Sequence, residues 1–132
     1  MTAAPRTPYE YAALRVIPRI ERGEQINAGV ILYSQSHDYL AALHHLDTHR
    51  LHALDTAADA DGIRAALDAI STVCRGEPGQ SAACDADQGR RFRWLTAPRS
   101  TIVQAGPIHT GLTADPAAEL RRLLRVLVLP TG

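Results

Sequence analysis

Four stretches of this 132-residue chain carry side chains able to bind or react. The first runs Arg15-x-x-x-Arg19-x-Glu21-Arg22-Gly23-Glu24-x-x-Asn27-x-Gly29, where charge crowds a turn-forming glycine and an amide follows on the next apolar run. Arg22, Glu24 and Asn27 can orient a polar ligand there. A solvated hairpin tip, with Asn27 bonded to backbone, explains the same residues more simply. Gly29 stands within an apolar run, where glycine weakens a strand unless a bulge or a close approach requires it. The second stretch is Ala97-Pro98-Arg99-Ser100-Thr101, followed by His109-Thr110-Gly111. Arg99 presents a planar fork of donors suited to carboxylate or phosphate. Ser100, Thr101 and Thr110 add hydroxyls, and His109 can move a proton near neutral pH. Together they suit anion binding or acid–base chemistry, with loop hydrogen bonding as the plain alternative.

The third stretch, His44-His45-x-x-x-His49-x-x-His52 beside Asp47, holds metal-ligand residue types but straddles a strand-to-helix junction. Its spacing matches no familiar zinc pattern, so surface histidines and no metal are expected. In the fourth, Arg90-Arg91-Phe92-Arg93-Trp94 mixes base and aromatic as nucleic-acid binders do. Acidic and basic residues balance at 14 each, however, and DNA or RNA binding calls for a markedly basic domain or face. An edge strand with Phe92 and Trp94 turned inward is the expectation. All the basic residues are arginine, which excludes lysine Schiff-base chemistry and a phosphate-loop lysine. No glycine-rich phosphate loop, nucleophile elbow or HExxH is present, so no cofactor is implied.

Positioning these residues falls to a single domain over 1–132, with 1–7 expected to be flexible. Residues 9–19, 26–34 and 38–45 read as a β-meander, with a turn at Glu21-Arg22-Gly23-Glu24. Along the second of these strands, Ile26, Ala28, Val30 and Leu32 should share one face, opposite Asn27, Gly29, Ile31 and Tyr33. Asp47 or Thr48 can cap a short helix, Asp59 or Asp61 a longer one stopped at Arg75-Gly76, and Thr113 or Asp115 a last one. Further strands are expected at 92–95 and 100–104. The sum is an α+β domain, a mostly antiparallel sheet of about five strands covered on one face by about three helices. Cys74 should be buried and Cys84 a loop thiol, without a disulfide. The N-terminus lacks a signal-peptide pattern and no run approaches the ~20 apolar residues of a membrane span, so a cytoplasmic protein is expected.

YEYAALRVIPRIERGEQINAGVILY and RFRWLTAPRSTIVQAGPIHTGLT together resemble the bacterial domain of unknown function 3037 family, from about Tyr9 to the last helix. Gln25 departs from the aromatic expected there and Ala28 is smaller than the usual valine. The resemblance implies no assigned activity. It implies an accessory role, with another cytoplasmic protein such as a kinase-like one as partner. A non-catalytic binding domain is therefore the leading expectation. The alternative is a small enzyme or anion-binding module using Arg99, Ser100, His109 and Asn27. Convergence of Arg22, Asn27, Arg99 and His109 would favour the second; a contiguous apolar surface would favour the first.

Overall fold

A computed structural model describes residues 4–77 and 82–131. Three long strands form first in the chain: β1 (Thr7–Val16), β2 (Ile26–Ser34) and β3 (Tyr39–His44). Each pairs antiparallel with the next, as the meander pattern requires. The β1–β2 connection spans residues 17–25, longer than a tight hairpin, and turns at Arg19–Gly23 through backbone bonds from Arg22 and Gly23 to the Arg19 carbonyl. Gly23 takes the left-handed φ of 70° that the turn demands.

Helices α1 (Thr48–Leu54) and α2 (Ala60–Arg75) begin at Asp47 and Asp59, whose carboxylates accept from the Arg50 and Gly62 amides. Gly76 closes α2 in the left-handed conformation. Next come a short 3₁₀ turn (Ala82–Asp85) and α3 (Gln88–Thr96). Here the structure corrects the reading of 92–95 as a strand. Asp87 caps α3 through the Arg90 amide, and the buried residues are Arg91, Phe92, Leu95 and Thr96. That spacing is helical; Trp94, expected to turn inward beside Phe92, is 52% exposed. Capping and packing outweigh the β preference of the aromatics.

The strand expected at 100–104 is β4 (Val103–Ala105), and a further strand, β5 (His109–Thr113), follows the Gly106-Pro107 break. Both pair with the outer side of β1: β4 against Leu14–Val16, β5 against Thr7–Tyr11. Helix α4 (Pro116–Leu127) starts at Asp115 with Pro116 in its first turn. The sheet thus has five antiparallel strands, ordered β3-β2-β1-β4 with β5 beside β1.

Helices cover both faces of this sheet, not one. Leu14 pairs with Gly29 but Arg15 pairs with Asn27, so Ala28 is an extra residue in β2, a β-bulge. The bulge reverses which face later residues meet. Ile26, Ala28 and Ile31 join Leu51, Ile63, Leu67, Phe92 and Leu95 in the core beneath α1–α3. Val30 and Leu32, expected on the face of Ile26 and Ala28, join Tyr9, Leu120, Leu123 and Val128 beneath α4. Gly29 is needed at the bulge, because a Cβ there would sit 2.8 Å from the Leu43 carbonyl oxygen and 3.0 Å from the His44 Cβ. Cys84, read as a loop thiol, is buried with Cys74 in the first core, and burial pushes the Cys74 thiol up to about 12. Among the described residues no helix is long and apolar enough to cross a membrane.

Candidate functional site

Asn27 lies on the α4 face of the sheet, where its side-chain amide donates to the Leu127 carbonyl at 3.1 Å. That carbonyl is among those a helix C-terminus leaves unbonded, so Asn27 clamps α4 to β2. Arg22 and Glu24 pair with each other on the exposed β1–β2 connection. His109 stands opposite Tyr11 on β5, exposed, with ring centroids 5.2 Å apart. Thr110 stands opposite Glu10 and edges a hollow of about 420 Å³ in which Arg93 grips the Glu10 carboxylate at 2.7 and 2.8 Å. These residues therefore occupy separate places: the connection, the α4 face and the β5 edge.

Arg99 belongs to a different surface. From the turn after α3 it reaches back over α3, its guanidinium carbon 4.5 Å from the Trp94 ring centroid and an Nη donating to the Trp94 carbonyl. Ser100 is exposed beside it. Thr101 spends its hydroxyl on the Val103 carbonyl at 2.7 Å, and Ile17 donates to the Ile102 carbonyl at 2.7 Å, which ties this connection to the end of β1. Between this connection, α3 and α2 lies a groove of about 660 Å³. Gly62, Ala66, Ala69 and Ile70 of α2 line one side; Trp94, Ile102 and Arg99 line the other. The volume falls in the roughly 300–1,000 Å³ range of ligand sites. Trp94 and Ile102 stay 52% and 43% exposed, so large apolar surface borders an open trough.

Three carboxylate or guanidinium groups line the groove, and both carboxylates are engaged by their own local structure. Asp59 is occupied at the N-terminus of α2, and Asp55 accepts from the Ala57 amide while lying 3.8 Å from Arg19. Arg99 has no carboxylate within ion-pair reach among the described residues. Its stacking on Trp94 holds the fork in place without neutralising it.

Elsewhere, several polar groups bond one another. Tyr9 donates to Glu119, which Arg122 also grips at 2.7 and 2.8 Å. Hydrogen bonding by Arg122, then by Tyr9, holds the Glu119 carboxyl at about 2, while burial and that carboxylate raise the Tyr9 hydroxyl to about 12. His44 lies 3.0 Å from Asp68 Oδ1 and His52 Nε2 lies 3.2 Å from the Ala58 carbonyl. Among the described residues no group of three or more His, Cys, Asp or Glu is placed to hold a metal.

The reading of the sequence singled out Arg99 and Thr101 but missed the groove around them. One signal was present: Gly62, Ala66 and Ala69 leave α2 uncharged beyond its core stripe of Ile63, Leu67, Val73 and Cys74, a wider apolar sector than one core contact needs. Compared with known proteins, residues 11–128 match the family model described as Protein of unknown function (DUF3037). No curated protein and no solved structure matches the chain.

Proposed function

We propose that this chain, which belongs to the DUF3037 family of proteins of unknown function, works as a non-catalytic binding domain that docks an amphipathic helix of another protein in the groove beside α2. The observation that carries this reading is the groove itself: about 660 Å³, walled by apolar side chains and left open. Gly62, Ala66 and Ala69 recur at i, i+4 and i+7 on α2, so the wall is shallow and a second helix can approach closely. Trp94 and Ile102 opposite supply the large apolar surface that anchor residues at i, i+3 and i+4 of such a helix would cover. Trp94 and Arg99, stacked on each other, are of the residue types most often dominant in protein interfaces. The enzyme reading draws less support, because Arg99, Asn27 and His109 stand on different surfaces.

The chain's one tryptophan is Trp94, so its emission reports directly on the groove. A short leucine-rich helical peptide with a fluorescein label serves as the probe. Saturable binding, seen both as a Trp94 emission change and as label anisotropy, is expected. Ala66→Arg, an exposed α2 position that keeps helix propensity, should remove the binding and leave the melting temperature nearly unchanged. Undiminished binding to Ala66→Arg would place the contact elsewhere and overturn the proposal.

A further inference from the structure

We infer that the groove selects its helix by one carboxylate, read by Arg99. This inference rests on the docking role proposed above and adds the chemistry of the partner. Arg99 presents five N–H donors, and the Trp94 carbonyl accepts from only one of its nitrogens. The stack on Trp94 and that hydrogen bond fix the plane of the guanidinium before any ligand arrives, so little side-chain freedom remains to be lost on binding. Wetting of the fork would be reduced by a helix lying across Trp94 and Ile102. The guanidinium would then face the partner with no ion pair to a carboxylate of the described residues, since Asp55 and Asp59 are held as turn and helix caps. A bidentate carboxylate satisfies that fork; a neutral amide does so only in part.

The groove is lined by charges of both signs, carried by separate elements. Asp55 and Asp59 lie just before α2, Asp59 as its N-cap, whereas Arg99 follows α3. An acidic side chain is favoured near Arg99 and disfavoured near the two aspartates.

The test uses the full chain and a set of labelled leucine-rich helical peptides with a single Glu moved along the border of the apolar face, each beside its Gln counterpart. For one position the Glu peptide should bind about tenfold more tightly than the Gln peptide, the size of one partly exposed charge-assisted hydrogen bond. Raising salt should narrow the gap. Arg99→Ala should bind the Glu and Gln peptides equally, and Arg99→Lys should keep only part of the preference; anisotropy of the label gives affinities independent of any change in Trp94 emission. Equal binding of Glu and Gln at every position to the unaltered chain refutes the carboxylate inference while leaving the groove as docking site. Absence of binding by all the peptides refutes the docking role beneath it.

Discussion

Replacing Glu119 with Gln tests whether the Tyr9–Glu119–Arg122 cluster pins α4 to the sheet. Tyr9 is 5% exposed on β1, Glu119 lies in the first turn of α4, and Arg122 is one turn further on. Their contacts hold the Glu119 carboxyl at about 2 against an ordinary 4.5. At 1.36 kcal/mol per pH unit that displacement amounts to about 3.4 kcal/mol, an upper bound. The Arg122 side chain is 50% exposed, and solvent screening brings the expected loss to about 1–2 kcal/mol at pH 7. Because the folded pKa is depressed, the contribution is complete above pH 4.5 and fades as pH falls from 4.5 towards 2. Tyr9 has the opposite sign: its raised value preserves stability below pH 10 that is lost as pH rises towards 12. Urea unfolding of the unaltered chain and Glu119→Gln at pH 7, 4 and about 2.5 follows the acid-side loss, from above the ordinary 4.5 down towards the depressed value. The two stability curves should converge in acid. A gap that stays constant from pH 7 to 2.5 would show that Gln disturbs packing and that the ionic contacts do not stabilise α4.

Phe92→Ala should destabilise the domain by about 3–5 kcal/mol, since Phe92 is fully buried where α3 meets the core; Trp94→Ala, on the exposed side of the same helix, should cost far less. Thermal melts of the two variants check this, and equal losses would contradict the helical placement of both residues. Gly29→Val should cost about 1–3 kcal/mol or more, because its side chain would enter the space of the Leu43 carbonyl at the bulge. Denaturant midpoints measure the loss, and a neutral substitution would mean that β3 can move aside.

Much of the backbone plan was legible from local chemistry. Asp47, Asp59 and Asp115 are helix caps because a short carboxylate satisfies amides only a few bonds away. Gly23 and Gly76 take left-handed angles that their turn and helix end impose. The first three strands follow from alternation and β-branched content, which act within a strand's own length. Where the reading failed, distant atoms decided. Gly29 was noticed as unusual, yet only the approach of β3 and Leu14 makes it the site of a bulge, and that one extra residue sends Val30 and Leu32 to the opposite core. Residues 88–96 carry β-favouring aromatics but fold as a helix, because the core accepts Phe92 and Leu95 from one side and leaves Trp94 outside. The candidate residues were legible as types and not as a set. Asn27 met a helix end, and Arg22 and Glu24 met each other, while Arg99 found the ring of Trp94. A groove is a property of the space between α2 and the run from α3 to β4, which are separate segments of the chain. Side-chain type and spacing specify what each element can present, but the gap left between packed elements exists only after they have packed.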